Sequence, residues 1–389
     1  MSASASLATF ARGFSCPQEG LDEDSLEVIA VERAREVGRL FLDRHASAIA
    51  EAGGALPELL GEWLENELDF AVAWDPLFGV AEETLLGKSD SPPAEVAARL
   101  ALRMQAAGCR GEWRLAGERP TPVPVRFSAW TLPATEELTV SSDGSEANIR
   151  TSGGHSLQLT REDGWWTSAT PETCPQVSIL DRRVSVLTGE AAATPELLFL
   201  ADQVLDGGEA GAAAKSFQGA VEVLAAHAPA YLPWIARVMR EVVPIRSGLG
   251  AINSGSSKDL PGSSHLSIDV IPTAIAEMMV HESTHNYFYL VRALGPVEDG
   301  SDERLFYSPI KQRPRPIEYI LLAYHAFANV LLLTRDLAES GCPDPSGYLE
   351  RNESELVPQL AQLAEGLEET TGLTPLGVAL WQPLAERIG

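Results

Sequence analysis

Apolar residues recur three and four positions apart in the first part of the chain and again after residue 194. The segments SLEVIAVERAREVGRLFLDRHASAIAEAG and PAEVAARLALRMQAAG show this spacing, which is typical of amphipathic helices. Residues 111–193 instead alternate short runs of valine, isoleucine, threonine and tryptophan with glycine, aspartate and serine clusters, which predicts antiparallel strands joined by tight turns. The pattern therefore predicts an α+β, mostly α-helical protein with three parts: a helical N-terminal region (1–110), a small β-rich middle segment (111–193) and a helical C-terminal region (194–389).

Two helices of the C-terminal region have clear boundaries. The run PTAIAEMMVHESTHNYFYLVRAL opens with Pro272, which a first helical turn tolerates, and stops at Gly295. A second helix is predicted from Pro316, and its apolar run YILLAYHAFANVLLL is too short to span a membrane, which predicts a buried core helix. The stretch RSGLGAINSGSSKDLPGSS between residues 246 and 264 lacks the glycine spacing of a phosphate loop, so it is interpreted as a solvated or substrate-facing loop.

Charge and composition narrow the possible partners. The 389 residues are 45% hydrophobic, and 55 acidic against 29 basic residues give a formal net charge of −26. This charge repels phosphate backbones and anionic membranes, so neither nucleic acid nor membrane is expected as a partner. Four widely spaced cysteines and the N-terminal stretch MSASASLATFARGF predict reduced thiols, no secretory signal and a cytoplasmic protein.

The first of the two helices carries HESTH, an H-E-x-x-H motif. His281 and His285 lie one turn apart on one face, so both imidazoles can bind one ion, and Glu282 lies beside them. The alternative is two ordinary histidines on an amphipathic helix.

A third ligand must come from elsewhere in the chain. His325, in the middle of the second helix, shares a stripe with Glu318 and Asn329. We predict His325 as the third ligand, with Glu318, or an acid such as Glu298 or Glu303, as alternatives. A lone buried histidine is, however, more often a hydrogen-bonded core residue. His265 precedes the metal helix and is a weaker candidate for a residue that lines the pocket.

A zinc peptidase, with Glu282 as the base for the attacking water, is the usual interpretation of this motif. Two features argue against it here. Position 291 is a valine, so a third histidine six residues after the pair is absent, and no N-E-x-x-x-D segment follows.

The segments MMVHESTHNYFYL, SGSSKDLPGSSHLSID and YSPIKQRPRPIEYILLAYHAFANVLLL resemble a family of H-E-x-x-H proteins associated with ribosomally made peptides. That family is described as iron(II)- and 2-oxoglutarate-dependent peptide β-hydroxylases. The resemblance covers about residues 246–336. Its downstream motif, Tyr-Ser-Pro and then Arg-Pro, is matched by residues 307–309 and 315–316, whereas Tyr324 and Ala326 replace the leucine and glycine that usually flank the histidine.

The resemblance implies a cytoplasmic hydroxylase with Fe(II) on His281, His285 and His325. It also implies that 2-oxoglutarate binds through a cation, with Arg315 and Arg313 as the candidates and Lys311 behind them. The substrate would be a precursor peptide, and Glu282 would orient a ligand or bind the iron. A zinc peptidase is the second hypothesis, and a catalytically silent peptide-binding protein with a structural metal is the third.

Overall fold

The computed structural model describes residues 9–66, 68–117, 122–128, 130–168, 174–175, 177–192, 194–200, 202–248 and 252–389. The protein is 54% helical with 19% strand, which confirms the predicted mostly helical α+β class. One large hydrophobic core draws buried side chains from the N-terminal, middle and C-terminal regions alike.

The N-terminal region is helical, as the apolar spacing predicts. Its helices are α1 (Glu23–Gly53), α2 (Leu56–Asn66), α3 (Phe70–Ala73), α4 (Pro76–Leu85) and α5 (Pro93–Ala107), after a 3₁₀ turn at Pro17–Glu19. Asp69 and Asp75 accept hydrogen bonds from the first backbone N–H groups of α3 and α4, which are otherwise unpaired at a helix start. Gly108 ends α5 in the left-handed conformation that glycine adopts without strain.

The middle segment forms antiparallel strands, again as predicted. One sheet has the order β1 (Gly111–Leu115), β4 (Leu138–Ser142), β5 (Glu146–Thr151), β6 (Ser156–Glu162) and β7 (Trp165–Thr167), and a smaller one pairs β2 (Val123–Phe127), β3 (Trp130–Thr135) and β8 (Cys174–Pro175). Trp113 and Trp166 donate their indole N–H groups to Gln105 and to the carbonyl of Ala106. These bonds attach the five-stranded sheet to the end of α5.

A third sheet contains the strands nearest to the histidine motif. Its order is β12 (Ser254–Ser257), β13 (Leu260–Ser267), β11 (Glu241–Ile245), β10 (Val184–Val186) and β9 (Val177–Ile179). Strands from both sides of residue 193 share this sheet, so a boundary at that residue divides hydrogen-bonded neighbours. The three predicted domain limits remain a prediction.

The glycine- and serine-rich stretch differs from its prediction as a loop, because part of it is β12. Glycine and serine have low strand propensity. Pairing with β13 nevertheless runs from Ser254 opposite Leu266 to Ser256 opposite Ser264, with a bulge before Ser257. The tertiary context therefore supplies the stabilisation that local propensity lacks.

Helices dominate the rest of the C-terminal region. They are α6 (Ala210–His227), α7 (Tyr231–Val238), α8 (Pro272–Leu294), α9 (Ile317–Glu339), α10 (Tyr348–Glu369) and α11 (Pro375–Ile388). Short 3₁₀ turns lie at Gly189–Ala191, Pro195–Leu200 and Gly207–Glu209, and a hairpin of β14 (Phe306–Ser308) and β15 (Arg313–Arg315) precedes α9. Helix α8 has the predicted bounds, and α9 begins one residue after Pro316.

Helix α9 is long and apolar enough to cross a membrane, but 67% of its most apolar window is buried inside the protein. This burial agrees with the predicted core helix. Among the described cysteines, Cys16, Cys109 and Cys342 are buried.

Candidate metal centre

Helix α8 presents one half-buried stripe, while the residues on either side of it are buried. The stripe consists of Glu277, His281, His285 and Tyr289, spaced four apart. Four-residue spacing keeps side chains on one helical face. The H-E-x-x-H histidines therefore lie on the only side of α8 that solvent reaches along this part of the helix.

The two motif histidines are adjacent, as predicted. Their ring centroids are 4.7 Å apart and the rings are almost perpendicular, at 88°. Burial is the main reason that the pKa of each ring is lowered, to about 3 for His285, and the positive charge of Lys311 lowers both further. Both imidazoles are neutral at pH 7, which is the state that binds metal ions. Within the part of the chain that the structure describes, the buried Nδ1 atom of His285 has no hydrogen-bond partner.

Glu282 has a different environment from the one that a peptidase base needs. It is 1% exposed, and its two oxygens accept hydrogen bonds from Ser254 Oγ at 2.6 Å and Ser256 Oγ at 2.7 Å. Burial alone raises its pKa, but the neighbouring imidazoles and the two serines hold the pKa below its usual value. Glu282 thus attaches α8 to β12.

His325 is directed to the N-terminal segment. Its Nε2 lies 3.0 Å from the carbonyl oxygens of both Phe14 and Ser15, and Asn329 donates to the Ser15 carbonyl at 2.8 Å. A protonated Nε2 donates to these carbonyls and is then unable to bind a metal. The other ring nitrogen, Nδ1, is buried and has no hydrogen-bond partner among the described residues.

The direction of His325 follows from the way α9 packs against α8. The ring of Phe327 lies 4.8 Å from that of His281, so the Phe327 flank of α9 faces the histidine pair. Two residues along an α-helix correspond to a rotation of about 200°. His325 therefore points in a different direction from Phe327, although its ring still lies 6.2 Å from that of Phe288 on α8 and its charge contributes to the lowered pKa of His285.

Apolar residues occupy the flank of α9 that faces the pair. Leu322 and Ala323, both half-buried, lie about one turn before Phe327. Within the described part of the chain, no three His, Cys, Asp or Glu residues are grouped so that they can hold a metal ion. The described residues thus place two imidazoles side by side, with the Nε2 atom of His325 hydrogen-bonded elsewhere. His325 as the third ligand stays a prediction.

The alternative acidic ligands have other partners. Glu318 forms an ion pair with Arg292 near the end of α8, at 2.8 Å. Glu298 accepts from the backbone N–H of Gly300 in an exposed turn, and Glu303 is exposed on the same connection.

The predicted cosubstrate cations separate into two groups. Arg315 stacks over the ring of Tyr319, with its guanidinium carbon 4.1 Å from the ring centroid, and Arg313 is exposed on β15. Lys311 is exposed, and its charge acts on both motif histidines. Of the three, Lys311 is the cation with an observed electrostatic effect on the pair.

His265 lies on the far side of the third sheet. It is directly opposite Gly255 in the β12–β13 pair, and side chains of successive residues point to opposite faces of a strand. Because Ser254 and Ser256 point to Glu282, Gly255 and His265 point away from α8. His265 does line a cavity, but neither His281 nor His285 is among the residues that line it.

Sequence reasoning missed two polar contacts of α8. The contacts of Glu282 with the serines of β12 could hardly be predicted, because alternate serines in a stretch that resembles a loop do not indicate a particular partner. Glu277 accepts hydrogen bonds from Tyr348 and Asn352 of α10, and burial raises its pKa to about 7. Its position four residues before His281 could have indicated that Glu277 lies on the same face of α8 as the histidine pair.

Comparison with protein-family models found no match, and neither did comparison with curated proteins.

Proposed function

We propose that this protein binds an extended peptide along the outer edge of β12, next to a divalent metal ion held by His281 and His285. The observation that carries the proposal is the attachment of this edge strand to the histidine helix through Glu282. Iron- and 2-oxoglutarate-dependent hydroxylation of the bound peptide is the second candidate.

The edge strand is suited to an incoming peptide. Among the described residues, β12 pairs with β13 on one side only, and all four of its residues are half-buried. An edge strand offers backbone N–H and C=O groups to an extended segment, and its short side chains leave the approach open. Ser254 and Ser256 are fixed from below by Glu282, so the edge is ordered before a peptide binds.

The environment of Glu282 argues against the peptidase hypothesis. A general base must reach the water that it deprotonates. Glu282 is 1% exposed, and both of its oxygens already accept hydrogen bonds from serines. A structural role for this carboxylate explains its contacts better.

A metal site without catalytic activity is favoured over the hydroxylase because the Nε2 atom of His325 is hydrogen-bonded to backbone carbonyls. An iron(II) centre of the implied kind needs three protein ligands while two positions stay open for the cosubstrate. His281 and His285 would supply two of them. The hydrogen bonds of His325 Nε2 to Phe14 and Ser15 support a site in which this nitrogen is not the third ligand.

The hydroxylase remains the second candidate because of Lys311. Its exposed ammonium group influences both imidazoles and lies in the segment that carries the family resemblance. A cation in this place suits the distal carboxylate of 2-oxoglutarate.

The proposed partner is a ribosomally made precursor peptide in the cytoplasm. A chain with a net charge of −26 attracts basic peptides and repels acidic ones.

Metal content and turnover distinguish the hypotheses. The full chain is loaded with Zn²⁺ or, anaerobically, with Fe²⁺, dialysed and analysed for metal, and labelled acetyl-Val-Thr-Lys-Thr-Val-amide is titrated by fluorescence anisotropy. We expect a bound ion that is lost in His281→Ala and kept in His155→Ala, a change of an exposed turn histidine. We also expect peptide binding without succinate release or cleavage.

Other outcomes contradict the proposal. Iron-dependent succinate release that disappears in His325→Ala would establish the hydroxylase instead. Cleavage that Glu282→Gln abolishes would establish the peptidase. Absence of binding for every peptide tested, with the metal retained, would overturn peptide binding itself.

A further inference from the structure

The third sheet separates the histidine pair from a cavity on its other face. Residues Val243 and Ile245 of β11 pack into a small apolar cluster with the 3₁₀ turn Pro195–Leu200. In the parallel β11–β13 register, Val243 is opposite His265, so His265 faces this cluster. The alternation of side chains along β12 also places His265 on this face, because Gly255 opposite it points away from Glu282. The sheet thus has one face toward α8 and another toward the 3₁₀ turn.

A cavity of about 570 Å³ lies on this second face. Its volume is within the range of small-ligand sites, roughly 300–1,000 Å³. The principal apolar and aromatic lining residues are Val80, Leu197, Phe199, Leu260 and His265. Gly255, Ser256 and Ser257 of β12 also line it, so the free strand edge and the cavity are continuous.

Carboxylates outnumber cations around this cavity. Glu83, Asp90, Glu196 and Asp259 line it together with a single ammonium group, that of Lys88. Lys88 pairs with Glu83 at 3.6 Å, while Arg99 and Lys258, which do not line the cavity, pair with Glu196 and Asp259. Asp90 is exposed, and no cation is paired with it within the described part of the chain. The excess of negative charge favours a positively charged ligand group.

The aromatic rim favours the same chemistry. Phe199 is 68% exposed, and its ring meets that of His265 edge to face, with centroids 5.8 Å apart. An exposed aromatic face attracts ammonium and guanidinium groups. The apolar floor formed by Val80 and Leu260 suits the methylene stem that such a side chain carries.

We propose that this cavity binds the side chain of a lysine or arginine residue of the peptide at β12. The inference rests on the proposed function, because it needs the peptide as an added strand. Successive side chains of a strand point to opposite faces. The basic residue is therefore the immediate neighbour of the residue that faces His281 and His285.

Three blocked peptides test the proposal: acetyl-Val-Thr-X-Thr-Val-amide with lysine, alanine or glutamate at X. Binding to the Zn²⁺-loaded full chain is measured by fluorescence anisotropy at low and moderate salt. We expect the lysine peptide to bind about threefold to tenfold more tightly than the alanine peptide, and the glutamate peptide to bind most weakly. Asp90→Asn and Phe199→Ala should reduce this preference, whereas Glu62→Gln, which removes an exposed carboxylate on α2, should not.

The outcomes separate the two proposals. Equal affinities for all three peptides, unchanged by Phe199→Ala, would overturn the cavity assignment while leaving strand addition intact. Binding of none of them would contradict both proposals. A lysine preference that His281→Ala leaves intact supports a cavity that recognises the side chain independently of the metal.

Discussion

His325 and Phe327 lie two positions apart on α9 but have different principal partners. Phe327 packs on His281, with ring centroids 4.8 Å apart, whereas His325 bonds the carbonyls of Phe14 and Ser15. The helical rotation of about 200° over two residues accounts for the difference. His325 thus anchors the N-terminal segment to the core.

Replacement of His325 by alanine should lower the free energy of unfolding by about 2–4 kcal/mol. The change leaves a cavity, removes the side-chain donor to the Phe14 carbonyl and leaves Asn329 as the donor to the Ser15 carbonyl. His325→Gln, whose side-chain amide can still donate a hydrogen bond, should lower the free energy of unfolding by a smaller amount. Urea unfolding measures both effects, and zinc affinity at the motif pair should stay unchanged. If His325→Ala lowers the zinc affinity as much as His281→Ala does, His325 is a metal ligand and this interpretation is wrong.

Replacement of Ser254 and Ser256 by alanine should weaken the attachment of β12 to α8. Each hydroxyl bonds a buried carboxylate, and such bonds contribute about 1.5–3 kcal/mol each. The folded-state pKa of Glu282 is lowered below 4.5, so its stabilisation is present above pH 4.5 and is lost as the pH falls through the folded value. Urea unfolding should therefore show the largest difference from the native chain at pH 7.

The control for this pair of changes is Ser216→Ala, whose hydroxyl bonds a carbonyl within α6. It should change stability little. A difference from the native chain that stays the same between pH 7 and pH 3 would show that the serines act without the charge of Glu282.

Because of Glu277, the free energy of unfolding should fall as the pH rises. Its folded pKa of about 7 lies above the unfolded value of 4.5, so the folded state holds the proton that the unfolded state releases between these pH values. The free energy of unfolding then decreases from about pH 4.5 to pH 7, by about 3 kcal/mol in total, and is level above that. Glu277→Gln should remove this decrease in urea titrations.

The partners of Glu277 provide a check. Tyr348→Phe removes a hydrogen-bond donor to the carboxylate and should raise the pKa further, which moves the end of the decrease to higher pH. An identical pH profile in the native chain and in Glu277→Gln would contradict the assignment.

Gly255→Ala should disturb His265 and weaken peptide binding. A Cβ atom at this position would lie 2.5 Å from Cε1 of His265, closer than atoms in contact allow, so the ring must move. We expect a loss of about 1–3 kcal/mol in urea unfolding. Gly211→Ala in α6, where a Cβ meets open space, should instead stabilise the protein slightly. Equal effects of the two substitutions would exclude the contact with His265 as the cause.

Much of the fold follows from local signals in the sequence. Helix α8 runs from Pro272 to the residue before Gly295 because the apolar spacing and both end signals agree. The adjacency of His281 and His285 has the same origin, since a separation of four residues places them on one face of any α-helix. The antiparallel middle strands are likewise predicted by alternating residues and turn signals.

Only the tertiary structure determines which residues pack against each face of a helix. Spacing placed His325 on a stripe of α9, but only the packing of that helix shows that His325 and Asn329 hydrogen-bond the Ser15 carbonyl. Strand β12 is also a product of its neighbours, since its glycine and serine residues have little strand propensity. Local periodicity determines the angle between side chains on one element, whereas the direction in which an element faces depends on the burial of the whole core.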